Sequence, residues 1–342
     1  MTHIQLPISK SIANRLLILQ ALNGEPLMDV SSPNIPDDVR LMHDALEKIQ
    51  HGAEEIDVEN CGTAMRFLTA YCAQLQGRSV VIKCSDRMKQ RPIGQLVNAL
   101  ISCGADIWFE NELGFPPLRI HGKRLVAPVL SQVSGQPLSI ATPDSSQYIS
   151  ALILIGMNAE SKADSPYIHM TRAMCAMWNE GEQHIEEKDW SAAAFWYEYV
   201  ALHGGKLYLD GLTDSTLQGD RIIANWFRRL GVETTFCADG VIIEKVRRVI
   251  HWPFIINFAN NPDLYPVMAI TCKQLRVPLF ARGTESQRIK ESDRLESVKT
   301  RQTQGDHRMA MSLLAADLPC DDVDCVRKSY PGFYEQLCQL RG

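Results

Sequence analysis

The sequence has no excess of basic residues and no long apolar run. Its 342 residues include 35 Lys and Arg against 40 Asp and Glu, for a formal net charge of −5. A nucleic-acid-binding protein normally carries a basic surplus or a basic arm, so this balance disfavours a nucleic-acid partner. No apolar run reaches the roughly 20 residues that span a bilayer. The first residues, MTHIQLPISKSIANR, do not resemble a secretory leader. We therefore expect no membrane partner and a cytoplasmic location.

Zinc-binding and dinucleotide-binding motifs are absent as well. The ten cysteines occur singly, with no CxxC pair and no Cys/His spacing typical of a zinc site. No GxGxxG motif follows an early strand, and no Walker A lysine loop occurs. These absences argue against a dinucleotide-binding fold and favour reduced, mostly buried thiols.

A helix, a glycine turn and a strand recur along the chain. The copies lie at 16–30, 91–110, 192–212 and 221–243. In the second copy, apolar residues at helical spacing run from Ile93 to Leu100, and Gly104 then stops the helix. The last copy has a hairpin turn signal at Asp239-Gly240. Such units bury their apolar faces only against neighbouring copies, so the repeat predicts an α/β protein built from repeated subdomains.

Three helix starts combine hydroxyl, amide or glycine residues, and two of them also carry cations. They are SKSIANR (9–15), NCGTAMR (60–66) and DSSQY (144–148). Helix N-termini bind phosphate or carboxylate readily, but Ser, Thr and Asp also favour these positions as plain caps. Capping, with Thr63 as the expected cap of the second start, explains each stretch taken alone. Lys10, Arg15 and Arg66 favour a small anionic ligand, because the helix dipole disfavours cations at an N-terminus.

Two further segments are rich in charge. SDRMKQRPIG (85–94) places three cations, Arg87, Lys89 and Arg91, just before a helix. RIKESDRLES (288–297) alternates acids with bases, and by itself such a run usually marks a solvated helix face. The remaining acids of interest, at 263 and 306, precede apolar helices, where a helix cap is the simpler interpretation.

Nine motifs, taken in order, resemble those of one family. They are SKSIANR, NCGTAMRFLTA, DRMKQRPIGQLVNAL, GFPPLRI, SSQYISAL, PDLYPVMAI, RIKESDRLES, DHRMAM and KSYPGFYEQL. The chain resembles the 5-enolpyruvylshikimate-3-phosphate synthases (3-phosphoshikimate 1-carboxyvinyltransferases) from about residue 5 onward. This resemblance implies a two-domain inside-out α/β barrel in which each domain has three βαβαββ repeats. It implies one domain at 6–217, on the shikimate 3-phosphate side, and a second at 218–342 with 1–5.

The resemblance also implies a reaction. Enzymes of this family transfer the enolpyruvyl group of phosphoenolpyruvate to the 5-hydroxyl of shikimate 3-phosphate and release phosphate, in the shikimate pathway to aromatic amino acids. The implied partners are these two small-molecule substrates, with no metal or organic cofactor. The implied oligomeric state is a monomer.

Site residues follow from the same motif matches. The implied catalytic residues are Lys10, Asp263 and Glu291. The implied shikimate 3-phosphate contacts are Lys10, Ser11, Arg15, Ser145, Ser146, Gln147, Tyr167, Asp263 and Lys290. The implied phosphoenolpyruvate contacts are Lys10, Asn60, Gly62, Arg91, Gln147, Arg294, Arg308 and Lys328. We expect Glu291 and Lys10 to handle the methylene proton and the leaving phosphate, and Asp263 to accept the hydroxyl proton.

The chain departs from the family pattern mainly in length. Three connections, at 159–164, 179–188 and 301–305, are shorter than in the family, and lost strands there would leave sheet edges unpaired. Two explanations are compatible with the sequence. The chain has lost these segments, or it derives from a longer parent chain whose missing segments are skipped in the numbering. An intact mass above 38.4 kDa would indicate the longer chain. Asp164 stands where a phosphate-binding serine is expected, and Cys61 replaces the usual alanine.

Three other functions compete with this interpretation. A UDP-sugar enolpyruvyl transferase shares the fold but normally presents a reactive cysteine, whereas the matching region here has Cys84 in an expected strand. A degenerate relative would bind shikimate 3-phosphate without catalysis, yet it has no need of Lys10, Asp263 and Glu291 together. A purely structural repeat protein leaves the clustered cations unexplained.

Overall fold

The structure of the chain is a computed structural model that describes residues 1–126, 137–140, 145–162, 165–246 and 252–341. Asp164, the residue at the doubtful phosphate contact, lies outside these ranges. Within them, no helix is long and apolar enough to cross a membrane.

Short strands and helices make up most of the described chain. The strands are β1 (Thr2–Gln5), β2 (Glu55–Asp57), β3 (Ser79–Lys83), β4 (Asp106–Phe109), β5 (Leu118–His121), β6 (Leu138–Ser139), β7 (Ala159–Glu160), β8 (Lys206–Asp210), β9 (Val232–Cys237), β10 (Gly240–Lys245), β11 (Phe254–Asn257) and β12 (Leu279–Arg282). The α-helices are α1 (Lys10–Asn23), α2 (Asp37–Gln50), α3 (Gly62–Ala73), α4 (Asp86–Lys89), α5 (Gly94–Ser102), α6 (Ser146–Leu154), α7 (Pro166–Asn179), α8 (Trp190–His203), α9 (Ile223–Arg229), α10 (Tyr265–Gln274), α11 (Arg294–Thr300), α12 (His307–Ala315) and α13 (Phe333–Arg341).

The chain divides into two compact units. The C-terminal unit comprises Met1–Lys10, Ser31–Asp37 and Glu186–Gly342, and the N-terminal unit comprises Ser11–Val30 and Asp38–Ile185. By this division, residues 186–217 group with the C-terminal unit. The domain bounds implied by the family resemblance stay a prediction.

Each unit contains a four-stranded sheet of the same topology. The strand order is β2-β3-β5-β4 in the N-terminal unit and β1-β8-β10-β9 in the C-terminal unit. In both sheets the first two strands run parallel and the last two form an antiparallel hairpin. This is the order of a βαβαββ repeat, so the subdomain repeat predicted from the sequence is confirmed.

Each unit also contains a two-stranded parallel sheet. β6 pairs with β7 across α6, and β11 pairs with β12 across α10. Both pairs have the parallel half of the repeat, and in the described ranges no antiparallel hairpin follows either of them. After β7 the chain passes to α7, and after β12 it passes through the 3₁₀ helix Glu285–Ile289 to α11. The connections that follow these two helices, 179–188 and 301–305, are two of the places where the sequence is shorter than the family.

Helix α8 lies in the centre of the C-terminal unit's core. Its aromatic residues Trp190, Phe195, Trp196 and Tyr197 are fully buried. The indole of Trp196 donates to Tyr330 Oη at 3.2 Å. A helix that is buried on nearly every face belongs inside a core, which explains why the sheets lie outside it.

Three of the four predicted helix–glycine–strand copies are confirmed. They form α5–β4, α8–β8 and α9–β9–β10, with the hairpin turn at 238–239, one residue earlier than expected. The strand predicted after α1 is wrong, because residues 25–30 form no strand. Gln20 binds this segment instead: its carbonyl accepts from Glu25 N at 3.0 Å and its side-chain oxygen from Met28 N at 3.0 Å. Pro26 also lacks the N–H that a strand ladder needs.

Candidate active site

In the N-terminal unit, the start of α3 forms the first candidate site. Gly62 is the first residue of the helix, and Cys61 caps it by accepting from Ala64 N at 3.4 Å. The prediction of Thr63 as the cap is wrong, because Thr63 lies inside the first turn. The free N–H groups of this turn and the positive end of the helix dipole favour an anion.

Two buried guanidinium groups pack against this helix start. Arg66 Nη1 donates to the carbonyl of Gly62 at 2.9 Å. A Cβ atom added to Gly62 would overlap Arg66 Nη1 and lie 2.8 Å from both Nη atoms of Arg91. A glycine is therefore required at position 62 for both arginines to lie this close to the helix backbone.

The start of α6 reaches the same place. Ser145 caps α6 by accepting from Gln147 N at 3.2 Å, and Ser146 is the first helical residue. The side-chain amide of Gln147 donates to Thr63 Oγ1 at 2.9 Å. The structure thus brings together Gly62, Arg91 and Gln147, and it places Ser145 and Ser146 on the same helix start. Asn60 lies two residues before α3 and is partly buried.

Arg15 forms a second cluster in this unit. Its guanidinium donates to Ser11 O at 2.7 Å, to Thr171 Oγ1 at 2.7 Å and to Tyr167 O at 3.2 Å. Burial lowers the pKa of Arg15 to about 10, in spite of the nearby tyrosine and cysteine. The predicted residues Ser11, Arg15 and Tyr167 therefore lie together. The hydroxyl of Thr171, which sequence reasoning missed, completes a link from α1 to α7.

The other cations before α5 face solvent. Arg87 donates to Gln90 Oε1, and Lys89 pairs with Asp86 at 2.8 Å on the exposed surface. Of the three cations in this segment, only Arg91 is buried. An ordinary solvated surface therefore accounts for Arg87 and Lys89.

In the C-terminal unit, Asp263 is the centre of the second candidate site. It lies in the 3₁₀ turn Pro262–Leu264 before α10. Its carboxylate pairs with Arg308 at 2.8 Å, Arg294 at 3.1 Å and Lys290 at 3.5 Å. Burial alone would raise the pKa of Asp263, but these three cations outweigh it and hold the pKa well below its usual range. Asp263 is therefore an ionised carboxylate at neutral pH.

Arg294 is enclosed by three carboxylates. Its Nε atom pairs with Asp306 at 2.7 Å, Nη1 with Asp263 at 3.1 Å and Nη2 with Glu291 at 3.1 Å. Its side chain is 1% exposed. The three acids outweigh burial, which by itself lowers the pKa of an arginine, and the pKa of Arg294 is raised. Arg294 thus fixes the positions of both predicted catalytic acids.

Glu291, Lys10 and Lys328 complete this cluster. Glu291 Oε1 lies 3.9 Å from Lys328 Nζ. The backbone N–H of Lys10 donates to Asp189 at 3.1 Å, which fixes the start of α1 in this unit. Burial, and then the charges of Lys10 and Arg308, lower the pKa of His307 well below its usual range. A neutral imidazole therefore lies among these cations.

The segment 288–297 contains both a solvated ion pair and residues of the candidate site. Arg288 pairs with Asp293 at 3.1 Å near the surface, and Asp293 also caps α11 by accepting from Leu295 N. Glu291 and Arg294, in contrast, point into the buried cluster. The first pair is an ordinary solvated contact, and the second belongs to the candidate site.

The cluster carries a surplus of positive charge. Five cations lie within it, Lys10, Lys290, Arg294, Arg308 and Lys328, against four carboxyl groups, Asp263, Glu291, Asp306 and the adjacent Asp220. A surplus of this sign favours an anionic ligand. Carboxylates that lie next to cations are also suited to proton transfer.

Sequence reasoning missed several polar residues near this cluster. Asp220 is buried and accepts from Asn261 Nδ2 at 3.0 Å and from Ser191 Oγ at 2.5 Å. Burial first, and then the charge of Asp263, raise the pKa of Asp220. Asp306 was expected only as a helix cap, which it is, yet it also anchors Arg294. In the sequence, Asp306 carries only the signal of a helix cap, an acid directly before an apolar helix, and this signal does not indicate the second role.

Over the described ranges, one group of side chains has metal-ligand spacing. His43, Asp44 and Glu47 of α2 bring their ligand atoms within 4.8 Å of one another. Asp44 and Glu47 are exposed, and exposed acidic groups are common without a metal. The group therefore carries no functional assignment.

Comparisons with known proteins show the family to which the chain belongs. The family model described as EPSP synthase (3-phosphoshikimate 1-carboxyvinyltransferase) matches residues 48–179 and 176–301. The chain is 35% identical to the 3-phosphoshikimate 1-carboxyvinyltransferase of Bacteroides fragilis, over 98% of this chain and 94% of that protein. The chain belongs to the EPSP synthase family. It is also 28% identical to the enzyme of the same name from Shewanella baltica, over 99% of this chain and 96% of that protein.

A structural comparison supports the fold of this family. The EPSP synthase of Acinetobacter baumannii superposes with a TM-score of 0.67 at 16% identity, over 98% of this chain and 95% of that one. The α/β fold class predicted from the sequence is confirmed. The roles of the individual site residues stay predictions.

The alignment with the Bacteroides fragilis relative also locates the difference in length. It runs over 404 positions, whereas 98% of 342 residues is about 335, so about 69 positions of the alignment have no residue in this chain. Because both chains are covered almost from end to end, these positions are internal. The two-stranded sheets β6–β7 and β11–β12 agree with such internal losses.

Proposed function

We propose that the chain transfers the enolpyruvyl group of phosphoenolpyruvate to the 5-hydroxyl of shikimate 3-phosphate and releases phosphate. Membership of the EPSP synthase family supports this reaction. The observation that carries it here is the cluster of Asp263 and Glu291 around Arg294. Both substrates are anions, which fits the positive surplus of that cluster and the helix starts of the N-terminal unit.

The chemistry needs acids and bases close to one another. The methylene carbon of phosphoenolpyruvate gains a proton while the 5-hydroxyl attacks the adjacent carbon. The tetrahedral adduct then loses a proton from the new methyl group, and phosphate departs. One cluster must therefore both supply and remove protons.

We assign these proton transfers to three residues. We assign Asp263, which is ionised, to accept the hydroxyl proton. Glu291, held by Arg294 and near Lys328, exchanges a proton with the methylene carbon. Lys10 donates to the departing phosphate, and Lys290 is assigned to the hydroxyl groups of shikimate 3-phosphate.

The remaining assignments concern binding. For phosphoenolpyruvate we propose the backbone of Gly62 with Asn60, Arg91, Gln147, Arg294, Arg308 and Lys328. For shikimate 3-phosphate we propose Ser11, Arg15, Ser145, Ser146, Gln147 and Tyr167. Forked guanidinium contacts suit carboxylate and phosphate groups, which supports a role of the arginines in neutralising both substrates. We further propose a cytoplasmic location and no nucleic-acid partner.

The test is phosphate release by the purified chain. Release that requires both shikimate 3-phosphate and phosphoenolpyruvate supports the synthase. Binding of shikimate 3-phosphate without release would support the degenerate relative instead. Absence of both binding and release would overturn the proposal.

One observation disfavours the UDP-sugar enolpyruvyl transferase. Burial raises the pKa of the Cys84 thiol to about 11, so little thiolate is present at neutral pH. A nucleophilic cysteine at this place would need the opposite shift of its pKa. Release of phosphate with a UDP-sugar acceptor, and none with shikimate 3-phosphate, would reverse this preference.

A further inference from the structure

We propose that Asp220 is a positioning residue for the enolpyruvyl transfer, because it holds the turn that carries Asp263 against the start of α8. The inference rests on the proposed function, in which Asp263 accepts the hydroxyl proton. Asp220 lies in the 3₁₀ turn Gly219–Ile222 before α9, and it is buried. None of the nine sequence motifs that carry the family resemblance includes this residue.

Two buried groups from different segments donate to the carboxyl group of Asp220. Ser191, in the first turn of α8, donates from Oγ to Oδ2. Asn261, directly before the 3₁₀ turn Pro262–Leu264, donates from Nδ2 to Oδ1 at 3.0 Å. Each carboxyl oxygen thus binds one segment, and Asp220 connects three segments that are far apart in the sequence.

The turn that carries Asp263 is short and depends on this connection. Asparagine is a preferred N-cap, yet among the described residues the side chain of Asn261 makes no cap hydrogen bond at this turn. Its amide donates to Asp220 instead. A second contact, from Gln287 Nε2 to Pro262 O at 2.8 Å, also holds the turn. Loss of the Asp220 side chain should therefore shift the turn and not unfold it.

The position of the turn matters because Asp263 acts from a fixed place in the cluster. Its carboxylate lies 2.8 Å from Arg308 and 3.1 Å from Arg294, and both guanidinium groups are buried. A shift of the turn changes these distances and the direction in which the carboxylate meets the hydroxyl group. A displacement of about 1 Å from the productive geometry can cost about a hundredfold in rate.

The other end of the connection lies beside Lys10. Asp189 is the N-cap of α8, the helix that carries Ser191 in its first turn, and it accepts from Lys10 N at 3.1 Å. Asp220 therefore joins the helix start that holds the proposed proton donor to the turn that holds the proposed base. All of these residues belong to the C-terminal unit.

Substitution by asparagine separates the position of this side chain from its charge. The charge is a rival explanation, because Asp263 raises the pKa of Asp220, after burial, and Arg308 lowers it. In Asp220→Asn, the amide oxygen can accept from Asn261 and the NH₂ group can donate to Ser191 Oγ, since a hydroxyl group both donates and accepts. Asp220→Asn thus keeps both contacts and removes the charge.

Phosphate release by the full chain at saturating substrate concentrations tests the proposal. We expect kcat to fall at least about tenfold in Asp220→Ala, because the base is displaced. Asp220→Asn should recover most of this loss. The control is Tyr197→Phe, which removes a buried hydrogen bond between α8 and Thr234 without touching the turn, and it should keep the parent kcat. Thermal unfolding shows that each variant is folded at the assay temperature.

A double variant tests whether Asp220 acts through Asn261. Asn261→Ala removes the same contact, so it should lower kcat by a similar factor. Adding Asp220→Ala to it should then lower kcat little further, whereas independent effects would multiply. If Asp220→Ala does not fold, Asn261→Ala alone carries the test, and a parent-like kcat in it overturns the proposal.

Four results would overturn the positioning role and leave the proposed function intact. They are a parent-like kcat in Asp220→Ala, an equal loss in Asp220→Asn, an equal loss in Tyr197→Phe, and effects of Asp220→Ala and Asn261→Ala that multiply. The absence of turnover in the parent chain would overturn the proposed function and the positioning role together. The two failures are therefore distinguishable.

Discussion

Glu291 is the residue whose charge the proposed chemistry needs most. It pairs with Arg294 at 3.1 Å and lies near Lys328. Glu291→Gln keeps the size of the side chain and removes the acid, so turnover should fall by at least about a hundredfold, the lower end for a lost general acid or base. Phosphate release under saturating substrates measures this effect.

The same variant provides its own control. Because Glu291 is not among the expected shikimate 3-phosphate contacts, calorimetric binding of that substrate should stay close to the parent value. Parent-like turnover in Glu291→Gln would remove Glu291 from the mechanism. Loss of binding together with turnover would indicate a disrupted fold instead.

Gly62 is the second residue with a specific expectation. A Cβ atom at this position would lie 2.8 Å from the Nη atoms of Arg91, so Gly62→Ala must displace that side chain. If Arg91 binds phosphoenolpyruvate, the KM for phosphoenolpyruvate should rise several-fold, while the KM for shikimate 3-phosphate changes little. Equal rises in both constants would contradict the assignment of Arg91 to phosphoenolpyruvate.

The sequence predicted which residues belong to the site better than it predicted their contacts, because the contacts join residues that are far apart in the chain. Motif resemblance named Asp263, Glu291 and Arg294, which the structure brings together. It did not reveal that Asp306 anchors Arg294. Asp306 caps a helix and also pairs with Arg294, but only the cap has a recognisable pattern in the sequence. Arg87 and Lys89 show the reverse error, since cations next to Arg91 in sequence face solvent.

At the scale of elements, Glu198 links three helices that lead to the site. It is fully buried on α8 and accepts from Thr271 of α10 at 3.1 Å and from Ser312 of α12 at 2.7 Å. Burial raises its pKa well above the ordinary value of 4.5, in spite of these hydrogen bonds. The folded protein therefore keeps Glu198 protonated to a higher pH than the unfolded chain does.

This raised pKa makes stability depend on pH. Below pH 4.5 the residue is protonated in both states, and its contribution to stability is complete. As pH rises towards the folded-state pKa, the unfolded state releases its proton and the folded state keeps it, so the free energy of unfolding falls. The loss approaches about 1.4 kcal/mol per pH unit for one such group.

Glu198→Gln removes this dependence, because the amide does not ionise. In urea titrations, the free energy of unfolding of Glu198→Gln minus that of the parent should increase as the pH rises above 4.5, with a slope of at most about 1.4 kcal/mol per pH unit. A constant difference between the two proteins over this range would show that Glu198 does not carry a raised pKa.

The elements themselves were predicted where local signals agree with packing. Apolar spacing with a glycine stop gave α5–β4 and α8–β8, because the same residues fill the core. The strand after α1 failed, since Pro26 removes a donor and Gln20 satisfies the backbone locally. These patterns could not show which strands pair. β1 and β8 are neighbours in one sheet, but most of the chain between them belongs to the other unit, so their pairing has no local signal in the sequence.

At the scale of the whole molecule, substrate binding should stabilise the fold. A ligand that binds only the folded chain raises the unfolding free energy, by about 2.7 kcal/mol at a hundredfold excess over its Kd. Shikimate 3-phosphate should therefore raise Tm in a concentration-dependent way, in the parent and in Glu291→Gln alike. Shikimate without the phosphate is the control, and an equal shift with it would argue against recognition of the phosphate.

The most direct test of the central claim is to detect the product. Mass spectrometry of the purified chain incubated with both substrates should show 5-enolpyruvylshikimate 3-phosphate together with free phosphate in equal amounts. In heavy water the product's methylene group should acquire deuterium, because the mechanism adds and then removes a proton at that carbon. No product under conditions where shikimate 3-phosphate binds would contradict the claim that this chain is an active enolpyruvyl transferase.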